Sequence, residues 1–563
     1  MKVVEVIRKY FAVGVVMLVY AWAAVAIVTY RREELPAEAK IVLRLGHWQL
    51  EPGVRQAFTR MAAEYRKIRP EVAIIQDAIP ESVYGQWMTT QLMGGTAPDI
   101  IEVGLGVPYN VLLGFHARYF LPLTTYVNQP NPYNAGTPLA DTIWRLTYKD
   151  GMRNSYIEEL QEYMLVPLAQ FGIRIFYNRD LLRRLTGRTE PPQNYREFLA
   201  VCEQIKRQRD EQGRPYLPIA ASQYHVTMWE DFMANPLTFA AVRFVDFDRD
   251  GAVGNVELFA GMKTGRIDFD FPPFAARFEM IRQLTSHFQE GFTGLGRDEA
   301  VFLFAQQRAV FITTGTWDAS SLVEQARGVF EVGVMNFPLP TSDDPDFGAI
   351  LEGPRYERPS ATFTFAITRT TKHPDVALDF LRFLSSQRGN EQLNHIIGWI
   401  PAIKNTTLPP MLEAFAPNLQ GVYPAMPITL GGETIIRWQQ LTSLFHVHQI
   451  TYPELVARFR PFYLEQGVRE FAEIVRNRQR GVARDEQFLA GLRARWLRAE
   501  GVEAESLGVR YRQLTAGRLI LRDLGMARLQ RMLAQGPSPQ SRAPYEWSEA
   551  ALAKIRSHVE TTP

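Results

Sequence analysis

One short acidic segment carries the side chains best suited to chemistry. It reads D-F-D-R-D-G-A-V-G-N-V-E from Asp246 to Glu257 and fits the pattern D-x-D-x-D-G-x5-E without a gap. In EF-hand-type loops of this kind, carboxylates and one backbone carbonyl surround Ca²⁺ with oxygen ligands. The candidate ligands are Asp246, Asp248, Asp250, Ala252 through its carbonyl, and Glu257. The segment predicts either a structural calcium site or an acidic turn without metal, and we expect no required cofactor.

Motifs typical of enzymes are missing from the sequence. The chain contains no Gly-x-Ser-x-Gly, no His-Glu-x-x-His and no Gly-Lys-Ser/Thr phosphate loop. Its single cysteine, Cys202, lies at helical spacing from Phe198 and Ile205, which is typical of a core side chain. His446 and His448 come without a third metal ligand, so we expect them at the surface. We predict that the protein is not an enzyme, although the paired carboxylates of a glycosidase have no sequence signature.

The overall composition is that of a globular chain with more than one domain. Of 563 residues, 46% are hydrophobic, 12% aromatic and 22% charged, which excludes a mostly disordered protein. The length exceeds what a single hydrophobic core usually supports. Because 62 basic residues stand against 60 acidic ones, the net charge is +2 and gives no indication of nucleic acid as a partner.

An uncharged apolar segment stands near the N-terminus. Tyr10–Tyr30 contains no charged residue and is long enough for a bilayer-spanning helix, which needs about 20 residues. Small residues within Ala21–Ala26 also resemble signal-peptide cleavage sites, so a cleaved leader is the alternative. We favour an uncleaved membrane anchor in residues 1–35. Either interpretation places the rest of the chain on the extracytoplasmic, periplasmic side of the cell membrane.

The elements that must position binding residues alternate between strand and helix. Three predicted strands and two amphipathic helices follow one another: Ile41–Gly46, Val54–Tyr65, Val72–Ile75, Tyr84–Met93 and Asp99–Val103. This order is typical of parallel α/β architecture, in which ligands bind beyond the carboxyl ends of strands. Trp48 and Glu102 stand at two such ends, so the pattern makes them candidates for ligand contact.

The stretch Val166–Asp180 predicts a crossover between two lobes. Gly172 gives the backbone freedom there, and the alternation from Ile173 to Tyr177 is typical of a strand. A second α/β body follows, in which the predicted strand Ala309–Thr313 leads into Trp317. We therefore expect a ligand to bind between two similar bodies.

Five pieces of sequence form a pattern when they are taken in order. They are G-G-T-A-P-D-I-I at Gly94–Ile101, F-Y-N-R-D-L-L at Phe176–Leu182 followed by P-P-Q-N-Y-R-E-F-L at Pro191–Leu199, Q-R-A-V-F-I-T-T-G-T-W at Gln307–Trp317, T-K-H-P-D-V-A-L-D-F-L-R-F-L at Thr371–Leu384, and G-W-I-P-A at Gly398–Ala402. Together they resemble the extracellular solute-binding proteins of ABC importers, a group that includes maltose- and oligosaccharide-binding proteins.

The resemblance implies an α/β fold of two lobes joined by crossing strands, the type II architecture of periplasmic binding proteins. Lobe 1 would comprise residues 38–168 and 355–403, and lobe 2 would comprise 169–354 and 404–480. Residues 481–563 would form a helical, Arg-rich extension outside the family pattern. The chain also departs from that pattern because it has no lipid-attachment cysteine near the N-terminus.

Seven residues are candidates for ligand contact if the solute is a sugar, as the resemblance implies. Carbohydrate sites combine flat aromatic faces with planar polar side chains that satisfy hydroxyl groups. The candidates are Trp48, Glu102, Gln170, Trp229, Trp317, Arg355 and Trp399. For each of them the alternative is a purely structural role, since tryptophan is highly buried on average and polar groups at strand ends often make structural hydrogen bonds.

The sequence as a whole predicts a binding protein that works outside the cytoplasm. It would capture a carbohydrate, most simply an oligosaccharide, and present it to the permease subunits of an ABC transporter. Closure of the lobes would be driven by a ligand that binds the closed state more tightly. The alternatives are a membrane-tethered glycan-binding sensor that is not coupled to transport and a glycan-cleaving enzyme.

Overall fold

The chain folds into two compact units. The computed structural model describes residues 38–50, 52–104, 107–157, 160–249, 251–408, 410–423, 427–517 and 524–536. Unit 1 consists of the chain up to Phe171 together with Pro359–Pro410. Unit 2 consists of Gly172–Arg358 together with the chain from Met411 onward. The chain therefore passes from one unit to the other three times.

Strands and helices alternate through most of the described chain. Its strands are β1 (Ile41–His47), β2 (Val72–Ala78), β3 (Ile100–Val103), β4 (Tyr156–Ile157), β5 (Glu162–Tyr163), β6 (Val166–Gln170), β7 (Ile173–Asn178), β8 (Leu217–Ala220), β9 (Ala309–Gly315), β10 (Val332–Met335), β11 (Ala361–Ile367) and β12 (Ile400–Pro401). The described α-helices that precede β10 are α1 (Pro52–Ile68), α2 (Glu81–Gly94), α3 (Tyr109–Tyr119), α4 (Thr124–Val127), α5 (Trp144–Thr147), α6 (Arg179–Thr186), α7 (Tyr195–Lys206), α8 (Gln223–Trp229), α9 (Val242–Val245), α10 (Asn255–Lys263), α11 (Pro272–Thr285), α12 (Arg297–Ala305) and α13 (Thr316–Ala326). Those that follow are α14 (Pro374–Leu384), α15 (Gln387–Ile397), α16 (Gly432–His446), α17 (Tyr452–Trp496), α18 (Gly501–Gly517) and α19 (Gly525–Gln535).

The sheet of unit 1 is mixed rather than wholly parallel. Its strand order is β12-β6-β11-β3-β1-β2. β1 runs parallel to β2 and β3, as the alternating pattern predicts, while β11 runs antiparallel to both β3 and β6. The parallel prediction is therefore right for the first three strands, on which it rested, whereas β11 and β12 run in the opposite direction. The carboxyl ends of β1 and β3 lie side by side at one edge.

The sheet of unit 2 repeats this design with fewer strands. Its order is β10-β7-β9-β8, with β8 and β9 parallel and β7 antiparallel to β9 and β10. The carboxyl ends of β8 and β9 are neighbours, so the residues that follow them share one edge. This edge and the β1/β3 edge of unit 1 are the places where an α/β sheet usually binds ligands.

The predicted crossover stretch contributes one strand to each unit. β6 pairs with β11 in unit 1, and β7 pairs with β9 in unit 2. The boundary between the units falls between Phe171 and Gly172. A Cβ atom at position 172 would lie 3.1 Å from the ring of Phe415. Close packing therefore favours glycine here, in addition to the backbone freedom that glycine provides.

The long helix α17 anchors the C-terminal part of unit 2. It begins with a capping box in which Thr451 and Glu454 satisfy backbone groups of the first turn. Leu455, Phe459 and Tyr463 are completely buried in the core of the unit. The last described helix, α19, packs against the same core through Met526 and Leu529. Part of the predicted extension is therefore integrated into unit 2.

The predicted N-terminal anchor lies outside the described residues. Within the described part of the chain, no helix combines the length and the apolar character needed to cross a bilayer. Membrane anchoring through residues 1–35 thus stays a prediction from the sequence.

Candidate functional site

Two predicted residues meet at the carboxyl edge of β1 and β3 in unit 1. Glu102 is completely buried, and its carboxylate accepts a hydrogen bond from Gln49 Nε2 at 2.9 Å and one from the backbone N–H of Trp48 at 3.2 Å. The Trp48 ring is half-buried and meets Tyr84 edge-on, with 5.0 Å between ring centroids. The parallel pairing of β1 and β3 brings the two candidates together, as strand-end positions predicted.

Neighbouring polar groups pack closely around this edge of the sheet. His47 is buried and contacts Gln76 through Nε2 and Oε1 at 3.2 Å. Burial lowers the pKa of His47 to about 4, although the Gln76 contact opposes that shift. His47 is therefore neutral at physiological pH. Tyr84 donates a hydrogen bond to the backbone oxygen of Glu102 at 2.6 Å, which ties α2 to β3.

Gln170 and Trp399 belong to unit 1 and lie at the other side of its sheet. Gln170 ends β6, is 6% exposed, and pairs with Ile400 of β12. Its Nε2 is buried without a hydrogen-bond partner among the described residues. Trp399 is 2% exposed and packs edge-on between Phe171 and Phe363. It therefore supports the sheet from inside rather than presenting a ring face.

Trp317 lies in unit 2, in the first turn of α13 directly after β9. Its side chain is half-buried, and its ring covers the backbone of Gly315, where any side chain would overlap the ring. The following Asp318 accepts a hydrogen bond from Thr314 Oγ1 at 2.5 Å and one from Arg297 Nη2 at 3.4 Å. Burial raises the pKa of Asp318, with Arg297 opposing the shift. Because Gly315 has no side chain, the Trp317 ring can pack directly against its backbone.

The neighbouring strand end supplies residues that the sequence analysis missed. Tyr224 follows β8, lies in the first turn of α8 and is 42% exposed. His225 beside it is completely buried, with Nδ1 2.8 Å from Ser222 Oγ. Burial lowers the pKa of His225 to about 4 and keeps the ring neutral. The position of Tyr224 just after a strand was the available signal, but the β8 strand itself was not recognised.

Trp229, at the end of α8, and Arg355 are two further predicted ligand contacts that belong to unit 2. Trp229 is completely buried among Phe198, Phe288 and Phe337, so it is a core residue and offers no surface to a ligand. Arg355, by contrast, keeps its side chain 32% exposed. The burial of Trp229 follows from its place on the inner face of α8, which the linear spacing did not reveal.

The expectation that His446 is a surface residue is wrong. It is 2% exposed and its Nε2 lies 3.1 Å from Oε1 of Glu230. Glu230 also pairs with Arg277 Nη2 at 3.1 Å. Sequence spacing could not predict this cluster, because its three members come from distant segments of the chain.

The acidic segment of unit 2 brings three of its predicted ligands together. One carboxylate oxygen from each of Asp246, Asp248 and Glu257 lies within 4.8 Å of the others. Glu257 also accepts hydrogen bonds from the backbone N–H groups of Phe247 at 2.7 Å, Asp248 at 3.2 Å and Gly254 at 2.9 Å. Asp250 lies outside the described residues.

This arrangement fits two states of the acidic segment. The carboxylates converge as oxygen ligands of Ca²⁺ would. Glu257 nevertheless already caps α10, and burial raises its pKa while the backbone donors oppose that shift. The segment can therefore close without a metal, and calcium binding through these residues and the Ala252 carbonyl stays a prediction.

Comparison with known proteins gives one family match that covers more than half of the chain. Residues 51–391 match the family model described as bacterial extracellular solute-binding protein. The multiple sugar-binding protein of Streptococcus mutans is 20% identical over 356 residues, which are 61% of this chain and 71% of that protein. An uncharacterised extracellular-binding protein of an ABC transporter from Pyrococcus horikoshii is 22% identical over 383 residues, 65% of this chain and 73% of its own.

Solved structures share the fold over about three quarters of the chain. The unliganded structure of RafE from Streptococcus pneumoniae superposes with a TM-score of 0.51 at 15% identity, and covers 77% of this chain and 99% of its own. A protein from a study of xylan utilisation by Caldanaerobius polysaccharolyticus gives a TM-score of 0.50 at 18% identity, and covers 74% and 98%. At these identities the likeness shows the two-lobe α/β fold alone.

Proposed function

The chain belongs to the bacterial extracellular solute-binding proteins, and we propose that it captures a carbohydrate, most simply an oligosaccharide, for an ABC importer. The family is one of binding proteins whose working place is outside the cytoplasm. One observation carries the choice of ligand: in each unit an aromatic ring stands beside polar groups at the carboxyl edge of parallel strands. Trp48 stands there with Glu102, and Trp317 with Asp318, which is hydrogen-bonded to Thr314 and Arg297.

This pairing suits the chemistry of sugars. A pyranose ring presents C–H groups on its faces and hydroxyl groups around its rim, so it needs an aromatic surface and rigid hydrogen-bonding groups at once. In the proposal, Trp48, Trp317 and Tyr224 supply the surfaces. Gln170 of unit 1 and Arg355 of unit 2 bind hydroxyl groups, whereas the completely buried Glu102 holds the Trp48 backbone in place. Trp399 and Trp229 act as supports, because both are buried.

Transport is the second part of the proposal. The curated relative from Streptococcus mutans carries the name multiple sugar-binding protein, and the relative from Pyrococcus horikoshii is assigned to an ABC transporter. We propose that permease subunits are the partner and that the N-terminal segment holds the protein at the membrane. Co-purification of a permease with the full chain would support the transport step, whereas isolation of the chain alone from its native membrane would favour the tethered-sensor alternative.

A ligand screen by thermal unfolding tests the sugar proposal. A ligand at 100 times its dissociation constant stabilises a protein by about 2.7 kcal/mol, which raises the unfolding midpoint visibly. We expect at least one neutral oligosaccharide from a panel to do so. If amino acids, peptides or polyamines raise the midpoint and sugars do not, the ligand class is overturned while the family stands. Release of smaller sugars during incubation would instead indicate a glycan-cleaving enzyme.

A further inference from the structure

Two adjacent acids of unit 2 occupy a short π-helical turn. Glu230–Ala234 forms this turn between α8 and the 3₁₀ segment Asn235–Ala241. Turns of this type are rare and often mark functional sites. The Glu230 side chain is 15% exposed, whereas that of Asp231 is 49% exposed. The turn therefore sends one carboxylate into the protein and the other to the surface.

The inner acid anchors the turn through buried partners. Glu230 lies 3.1 Å from both Arg277 Nη2 and His446 Nε2. Arg277 also donates through Nε to Asn235 Oδ1 at 2.6 Å, and Asn235 donates through Nδ2 to Asp231 Oδ1 at 2.9 Å. One oxygen of the outer carboxylate is thus fixed by a hydrogen-bonded chain that begins in the core.

An arginine is fixed beside the other oxygen by aromatic stacking. The Arg355 guanidinium lies 4.7 Å over the Phe232 ring, which is stacked on Phe337 at 4.7 Å and 12°. A cation over an aromatic face in this range is attracted to it. Arg355 Nη1 lies 3.8 Å from Asp231 Oδ2, which is too long for a direct hydrogen bond. A fixed donor and a fixed acceptor therefore stand side by side, each partly exposed and without a direct hydrogen bond between Nη1 and Oδ2.

We infer that Asp231 and Arg355 bind two adjacent hydroxyl groups of the sugar. One hydroxyl donates to Asp231 Oδ2, and its neighbour accepts from the Arg355 guanidinium. The pair carries no net charge, so the ligand is a neutral sugar with free vicinal hydroxyls; a uronic acid paired with Arg355 would also bring its carboxylate close to Asp231. This inference rests on the proposed function and names the ligand class for that same site.

Calorimetric titration of variants with neutral and acidic probes tests the inference. The neutral probes are maltotriose, raffinose and xylotriose, and the acidic probe is trigalacturonate. We expect wild type to bind a neutral probe and not the acidic one. Asp231→Ala and Arg355→Ala each lose at least about tenfold in affinity, a typical effect for a polar group that pairs with a ligand hydroxyl. Asp270→Ala, which removes an exposed carboxylate paired with Arg460 at 2.8 Å in the same unit, keeps wild-type affinity.

A second variant keeps the test valid if Asp231→Ala fails to fold. Asp231→Asn retains the acceptor for Asn235 but removes the negative charge, so it shifts the affinity ratio toward trigalacturonate. A purely structural role for Asp231 would leave that ratio unchanged. A neutral probe bound equally by wild type and both alanine variants overturns the inference alone, as does tighter binding of trigalacturonate by wild type. No binding of any sugar by wild type overturns the proposed function with it.

Discussion

Each unit places one glutamate close to its candidate site, but the two carboxylates differ in burial and in surroundings: Glu102 is completely buried, and the Glu230 side chain is 15% exposed. Glu102 of unit 1 accepts hydrogen bonds from a side-chain amide and a backbone N–H. Glu230 of unit 2 contacts an arginine and a histidine, both of them buried. Burial alone would raise the pKa of Glu230, but Arg277 and His446 outweigh it and lower the pKa to about 2. Neutral hydrogen-bond donors therefore surround the carboxylate of unit 1, whereas an arginine and a histidine surround the carboxylate of unit 2.

This difference predicts different responses to mutation. Losing one neutral donor costs little more than one hydrogen bond, on the order of 1–3 kcal/mol when a group is left unsatisfied. Losing one member of a buried ion pair leaves an uncompensated charge and costs more. We therefore expect substitutions around Glu230 to lower the free energy of unfolding more than substitutions around Glu102. The positions of surface side chains in unit 2 should also depend on residues that do not contact the ligand.

The largest expected effect is that of Arg277→Ala in unit 2. It leaves Glu230 without its cationic partner, so we expect a loss of about 3–5 kcal/mol in the free energy of unfolding. Gln49→Ala is the matched change in unit 1 and should cost about 1 kcal/mol. Urea denaturation of the two variants measures both values. Equal losses would remove the distinction between the two glutamates.

Acid should weaken the wild type more than a variant without the buried charge. The folded-state pKa of Glu230, about 2, is below its ordinary value of 4.5. Its contribution is therefore fully present above pH 4.5 and is lost as pH falls toward 2, by on the order of 2–3 kcal/mol. Glu230→Gln should unfold more easily than wild type at pH 6, and the gap should narrow toward pH 2.5. A gap independent of pH would contradict the charge-based account.

A methyl group tests how tightly a tryptophan ring is packed in each unit, namely Trp317 in unit 2 and Trp87, which packs against Tyr84, in unit 1. In Gly315→Ala the new Cβ overlaps the Trp317 ring, whereas in Gly46→Ala it lies 3.0 Å from Trp87 and from Pro98. We expect Gly315→Ala to lose about 1–3 kcal/mol, as crowded sites do, and to weaken sugar binding because the ring is displaced. Gly46→Ala should lose less. Unfolding curves and sugar titrations on both variants would show whether the order is reversed.

Calcium should have the smallest effect. Because Glu257 already accepts three backbone N–H groups, a metal would share a satisfied ligand. We expect Ca²⁺ to raise the unfolding midpoint by no more than about 1 °C over EDTA, a shift worth less than about 1 kcal/mol in a unit of this size. Asp248→Asn should abolish the rise. An identical midpoint in Ca²⁺ and EDTA would identify the segment as an acidic turn without metal.

The contrast between the units also explains what the sequence could and could not predict. The apolar spacing of Val54, Phe58, Met61 and Tyr65 predicts α1, and all four side chains are buried. The proximity of Trp48 and Glu102 is predictable because Trp48 follows β1 and Glu102 lies near the end of β3, and both strands are formed by local runs of residues. Local periodicity is sufficient for such elements, since it depends only on near neighbours along the chain.

The site in unit 2 depends on contacts that no local pattern contains. The Glu230 cluster joins residues 230, 277 and 446, and Arg355 reaches Asp231 across more than a hundred residues. Trp229 looked like a ligand contact because tryptophan suits sugars, yet the helix face it occupies points into the core. Tertiary packing, which spacing does not encode, decides between a buried and an available ring.

The most direct test of the account is calorimetric titration of the sugar found in the ligand screen against wild type, Trp48→Ala and Trp317→Ala. The account predicts that both variants fold and that each loses at least about tenfold in affinity, because an aromatic face in each unit contacts the sugar. Unchanged affinity in Trp48→Ala would remove unit 1 from the site, and unchanged affinity in Trp317→Ala would remove unit 2. Full affinity in both would contradict carbohydrate capture at these strand ends.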